Sequence, residues 1–142
     1  EHAFTAEALE PIEFCRFSRS RFDAFADAHP RMERELYRIA AHELAAAQQQ
    51  MVLLGRKTAP ERLASFLISL LERESDDAPD TIKLPMNRTD IADYLGLTKE
   101  TVSRVFTVFK TSRLIRLLPD DFVRILEPRQ LRAIASGAES GR

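Results

Sequence analysis

Residues Gly96 to Phe106 read GLTKETVSRVF: a glycine, a capping threonine, then apolar residues at helical spacing with charges and hydroxyls between them. Leu97, Val102, Val105, Phe106 and, just beyond, Phe109 fall on one side of the expected helix. Lys99, Glu100, Ser103, Arg104 and Thr107 fall on the other, mostly in its first two turns. Upstream, Asn87 can cap a helix from Arg88 to Leu95 that turns Ile91, Ala92 and Leu95 inward. Ala92 is small where two helices must cross closely. Gly96 permits the left-handed backbone of a tight turn, and Thr98 can cap a helix running from Lys99 to about Lys110. Two short helices joined by a glycine-containing turn make the helix-turn-helix pattern.

In that pattern the first turns of the second helix enter the DNA major groove, and the outer residues suit the task. Arg104 can donate two hydrogen bonds to guanine O6 and N7, Glu100 can accept from cytosine N4, and Ser103 can hydrogen-bond or touch a thymine methyl. A plainer reading is an exposed Glu100–Arg104 ion pair at i,i+4 spacing, worth only about 0.3–0.5 kcal/mol. The turn, the caps and the downstream pattern favour DNA. Leu114 to Leu118 and Phe122 to Leu126 are apolar-rich segments joined by Pro119-Asp120-Asp121, which is turn chemistry; they predict the two strands of a wing. Pro128 then starts a last short helix with Leu131 and Ile134 inward.

Working back from the pattern, Thr81 to Leu84 is a short strand and Glu74 to Asp80 a solvated acidic loop without the glycine turn or ligand spacing of a calcium site. Thr58-Ala-Pro-Glu61 is a capping box with proline just inside the start; it opens a helix whose Leu63, Phe66, Leu67, Leu70 and Leu71 form a broad apolar face. Pro30 starts the longest helical pattern, free of proline and glycine from Arg31 to Leu54, and Gly55 breaks it. Met32, Leu36, Ile39, Glu43, Ala47, Met51 and Leu54 recur along it at three- and four-residue steps. So narrow a stripe suits a seam between two helices, hence a dimer, better than a wide core. Before it, Ser20 to Ala28 reads as a helix with Phe22 and Phe25 on one face. Thr5 to Leu9 and Ile12 to Phe17 read as two strands of a larger sheet.

The composition bounds what else the chain can do. With 142 residues and 44% hydrophobic content it can build a real core, and only the tail SGAESGR suggests disorder. A net charge of −1 gives no global footprint for nucleic acid. Locally, however, Arg88, Lys99, Arg104, Lys110, Arg113 and Arg116 face only Asp90, Asp93 and Glu100 between Met86 and Leu118. Cys15, the single cysteine, excludes an internal disulfide framework, fits a reducing cytoplasm and reads as a small core residue rather than a sensor. His2, His29 and His42 share no ligand spacing, so no metal site is expected. Neither a nucleophile elbow nor a glycine-rich phosphate loop occurs, and no enzyme is expected. No apolar run approaches the ~20 residues of a membrane span. The chain starts at EHAFTAEAL without a methionine, which reads as the C-terminal portion of a longer protein.

The stretch NRTDIADYLGLTKETVSRVF, Asn87 to Phe106, resembles the helix-turn-helix of the CRP/FNR superfamily of bacterial transcription regulators. The upstream order is similar as well. The resemblance implies an α+β, mostly α chain in three parts: the end of an effector β-roll (1–29), a dimerisation helix (30–55) and a winged helix-turn-helix DNA-binding domain (56–136). Glu100, Ser103 and Arg104 together look like the E-x-x-S-R of the FNR and FixK branch, where the CRP branch has glycine in place of Ser103. That likeness implies a TTGAT-N4-ATCAA palindrome, with Lys99, where the branch commonly has an apolar residue, as a fourth base reader. It also implies that Asn87, Arg88, Thr98 and Thr101 lie where backbone phosphates are contacted, and that RNA polymerase is a partner. No cofactor is implied for these residues, and the effector is not legible.

The expected function is thus a homodimeric, sequence-specific transcription regulator, an activator, that binds double-stranded DNA. Two alternatives stay open. The same face could meet a protein, for which Glu100 and the near-neutral charge argue. The helices could instead only dimerise a small-molecule sensor, for which too little β-roll is present.

Overall fold

The structure, a computed structural model, describes residues 11–73 and 80–138 together with Thr5 and Ala8. Its elements are α1 (Arg19–Ala28), α2 (Pro30–Arg56), α3 (Ala59–Leu71), β1 (Thr81–Lys83), α4 (Arg88–Leu95), α5 (Lys99–Thr111), β2 (Ile115–Leu117), β3 (Phe122–Ile125) and α6 (Pro128–Ala135). They fall into two units, Glu1–Val52 and Leu53–Arg142, which divide within α2.

In the first unit α1 ends where the His29 ring stacks on Phe25, with centroids 4.1 Å apart, while Nδ1 lies 2.8 Å from the Phe25 carbonyl oxygen. The strand expected over Ile12 to Phe17 is not formed: residues 11–18 lack strand structure, and Ile12, Phe14 and Phe17 are exposed. A strand needs a ladder on at least one side, and these residues have none. Cys15, expected in a core, is exposed for the same reason. Of the earlier expected strand only Thr5 and Ala8 are described, and neither is in a strand. The rest of that strand, and residues 74–79 of the acidic loop, lie outside the described residues.

The first-unit part of α2 leaves much of its apolar surface open. Tyr37, Ile39, Leu44, Met51 and Val52 are 69%, 47%, 61%, 64% and 54% exposed, far above what a core helix shows. Gly55 does not end α2, which runs to Arg56, and Lys57 N–H still donates to Leu53 O at 3.3 Å. One glycine costs a helix only about 1 kcal/mol. What stops the chain is the next cap, at Thr58, whose N–H donates to Glu61 Oε2 at 2.9 Å.

The second unit has one core. Leu63, Phe66 and Leu67 of α3, Ile91 and Leu95 of α4, Val102, Phe106 and Phe109 of α5, Ile82, Ile115, Val123 and Ile125 of the sheet and Leu131 of α6 are all buried. The sheet is antiparallel in the order β1-β3-β2, so the strand before the helix pair joins the two strands of the wing. Val123 lies opposite both Ile82 and Leu117, and Ile125 opposite Ile115, a register that sends Ile82, Ile115, Val123 and Ile125 to the helices. The β2–β3 turn has φ 57° at Asp120 and 61° at Asp121, with Phe122 N–H donating to Pro119 O at 3.2 Å. Positive φ at both central residues is the type I′ pattern that matches strand twist, and aspartate tolerates it. The tail read as disordered is in part a helix end: Gly137 has φ 76° and Ala138 N–H donates to Ala133 O at 3.1 Å, closing α6.

Candidate nucleic-acid interface

Two caps and a glycine set the geometry of the helix pair. Asn87 Oδ1 accepts from Thr89 N–H at 2.8 Å and Asp90 N–H at 3.1 Å, while Asp90 Oδ2 accepts from Asn87 N–H at 3.3 Å. This reciprocal arrangement satisfies orphan donors at the start of α4. At its end Gly96 has φ 59° and ψ 44°, and Leu97 N–H donates to Ala92 O at 2.9 Å. The left-handed glycine turns the chain within a few residues into Thr98, whose Oγ1 accepts from Thr101 N–H at 3.2 Å and starts α5.

The two sides of α5 separate as the spacing requires. Val102, Val105, Phe106 and Phe109 are buried, Leu97 is half-buried, and Lys99, Glu100, Ser103, Arg104 and Thr107 are all exposed. Among the described residues Glu100 and Arg104 form no ion pair. Arg104 Nη2 instead donates to Thr101 Oγ1 at 3.3 Å, and Thr101 Oγ1 lies 3.0 Å from Thr98 Oγ1. The guanidinium is thus steadied along its own helix without being neutralised, and the Glu100 carboxylate stays open to an outside donor. The Thr107 hydroxyl donates to Ser103 O at 3.0 Å.

The four residues nominated for phosphates lie at the starts of the two helices, Asn87 and Arg88 at α4 and Thr98 and Thr101 at α5. Asn87 and Thr98 are exposed caps, Thr101 is half-buried, and Arg88 is half-buried with its guanidinium carbon 3.5 Å from the centre of the Phe106 ring. Desolvation there lowers the Arg88 pKa from its ordinary value, and the Asp121 carboxylate raises it in part. The stacking was not legible in advance, because it depends on where Phe106 of the next helix turns back under α4. Two wing residues were also underrated. Arg116 and Arg124 lie directly opposite each other on β2 and β3, both exposed. Like charges at that spacing repel, a cost that an anion would relieve. A strand reading that paired Ile115 with Ile125 would have found them.

The seam residues are more mixed. Ile39, Met51 and Leu54 are exposed with Glu43 and Ala47, whereas Met32 and Leu36 are half-buried within the chain itself. Tyr37 and Leu44, absent from the expected stripe, are more exposed than either and stand fourteen and seven residues before Met51. That heptad spacing was the available signal.

Residues 61–134 match the model of the Crp-like helix-turn-helix domain. The chain is 41% identical over 137 residues to the transcriptional activatory protein AadR of Rhodopseudomonas palustris, covering 95% of this chain and 57% of that protein. Against the nitrogen fixation regulation protein FixK of Bradyrhizobium diazoefficiens it is 40% identical, again over 95% of this chain and 57% of the other. The chain therefore spans less than two thirds of the length of these relatives. The solved structure of FixK2 from Bradyrhizobium japonicum superposes with a TM-score of 0.76 at 36% identity, covering 82% of this chain and 58% of that one.

Proposed function

We propose, for a chain that belongs to the CRP/FNR family and to its FixK-like branch, that it is the DNA-reading part of a homodimeric transcription activator. The observation that carries the reading is the exposed face of α5: Glu100, Ser103 and Arg104 side by side, capped, unpaired with one another and backed by a buried apolar side. Arg104 donates to guanine O6 and N7, Glu100 accepts from cytosine N4, Ser103 touches the adjoining base and Lys99 reaches the outermost one. Asn87, Arg88, Thr98 and Thr101, joined by Arg116 and Arg124 of the wing, hold backbone phosphates and set the register. The target is a TTGAT-N4-ATCAA palindrome. Pairing of two α2 helices along Ile39, Met51 and Leu54, with Tyr37 and Leu44 beside them, spaces the two α5 helices about one DNA turn apart, roughly 34 Å. RNA polymerase is the partner for activation, the site of action is the cytoplasm, and the chain carries no catalytic step. Among the described residues no helix is long and apolar enough to cross a membrane.

The test is fluorescence anisotropy with the palindrome and with an unrelated duplex at physiological salt. The palindrome is expected to bind by about 10³-fold or more over the unrelated sequence. Equal binding of the two would remove the reading. A protein partner on the same face would show no steep salt dependence of any DNA binding.

A further inference from the structure

Arg62 of α3 holds two helix ends at once. Its guanidinium donates to four main-chain carbonyl oxygens: Nε to Lys57 at 2.8 Å, Nη2 to Leu54 at 2.8 Å, and Nη1 to Leu95 at 2.9 Å and Gly96 at 3.3 Å. Leu54 lies in the last turn of α2 and Lys57 directly follows its last residue, while Leu95 ends α4 and Gly96 is its C-cap. The last carbonyls of a helix lack partners within it and carry the negative end of its dipole. One planar cation satisfies such groups on both helices, and among the described residues no carboxylate pairs with it. The joint is also tight. A Cβ on Gly96 would lie 3.3 Å from Leu54 Cδ2 and 3.4 Å from Arg62 Nη1, so the turn into α5 is in contact with both the last turn of α2 and the side chain that fastens it.

We propose that Arg62 is a positioning residue: it fixes the last turn of α2 to the α4–α5 turn and so sets the direction in which the reading helix is presented. Arginine is needed because a fork of fixed geometry reaches separate acceptors, which the single ammonium of lysine cannot do. The inference rests on the dimer reading above in one respect. If two α2 helices pair, this joint carries the geometry of the pair to the two α5 helices and makes binding sensitive to half-site spacing.

The test uses the full chain with Arg62→Lys, which keeps the charge and the alkyl stem, and Arg62→Gln. Spin labels at positions 56 and 107, in a Cys15→Ser background diluted with unlabelled chain, report the distance from the end of α2 to α5 within one chain. The same proteins, unlabelled, are titrated with palindromes whose spacer is four, five or six base pairs. The wild type is expected to give one narrow distance and a marked preference for the four-base-pair spacer. Both variants should broaden the distance distribution and lose most of the spacer preference while keeping discrimination at the half-site guanine. A residue that merely added stability would lower guanine discrimination and spacer preference together, or neither. Folded variants with an unchanged distance distribution overturn the proposal, and so does loss of the fold in Arg62→Lys. Should the distances broaden as expected while the wild type shows no spacer preference, the joint stands and the dimer reading fails.

Discussion

The second unit and α2 use apolar residues in opposite ways. In the second unit, Leu63, Leu67, Ile91, Leu95, Val102 and Leu131 are inaccessible to solvent, so the fold supplies its own interior. Along α2, Tyr37, Leu44 and Met51 are each more than half exposed, so the helix carries an apolar face that the chain does not cover. A helix that made sense only as part of its own chain would not spend large side chains this way. The contrast separates what the chain completes by itself, the reading head, from what a second copy completes in our reading, the seam.

Changes that reach the interior of the head should have the largest effect. Phe109→Ala removes a buried ring from the centre of α5 and is expected to cost about 3–5 kcal/mol, enough to unfold the head; thermal unfolding followed by circular dichroism reads it. Leu44→Ala on α2 should change that unfolding by no more than about 0.5 kcal/mol while weakening self-association in sedimentation. Equal destabilisation by the two would erase the distinction between the units.

Next in size are changes at the reading face. Arg104→Ala should cost about 1–3 kcal/mol on the cognate half-site and flatten discrimination at the guanine. Arg88→Gln should instead weaken all duplexes alike and reduce the salt slope by about one. Because Arg88 also stacks on Phe106, its replacement should lower the melting temperature as well, which Arg104→Ala should not. If both substitutions alter sequence preference equally, the division between base readers and phosphate holders is wrong.

Two glycines give the finest comparison. Gly96→Ala places a Cβ on a residue with φ +59° and should destabilise the head by about 1–2 kcal/mol. Gly55 is helical and a Cβ there would meet nothing within 4 Å, so Gly55→Ala should stabilise by about 0.5–1 kcal/mol. Denaturant midpoints measure both. A loss at Gly55 would mean that the end of α2 needs the freedom glycine gives.

What was legible in the sequence followed the range of the forces involved. Asn87, Gly96 and Thr98 act on backbone within a few residues, and the helix-turn-helix could be placed from them to within a residue or two. The buried side of α5 was likewise written in its period. Strands over Ile12 to Phe17 were not legible correctly, because alternation shows which residues could pair and not whether a neighbour is there to pair with. Gly55 misled because its cost is smaller than the sum of favourable residues around it. Arg62 and the stacking of Arg88 on Phe106 were invisible because each joins helices through geometry that no spacing encodes.

The account turns on whether the α5 face reads bases, and one double-mutant cycle asks this directly. Wild type and Arg104→Ala are each titrated with the TTGAT-N4-ATCAA duplex and with the same duplex carrying adenine in place of each half-site guanine, across a salt series. The wild type should lose about 1–3 kcal/mol per altered half-site, and Arg104→Ala should bind both duplexes alike at every salt concentration. Retention of the full guanine penalty by Arg104→Ala would contradict the assignment and move base reading elsewhere on the molecule.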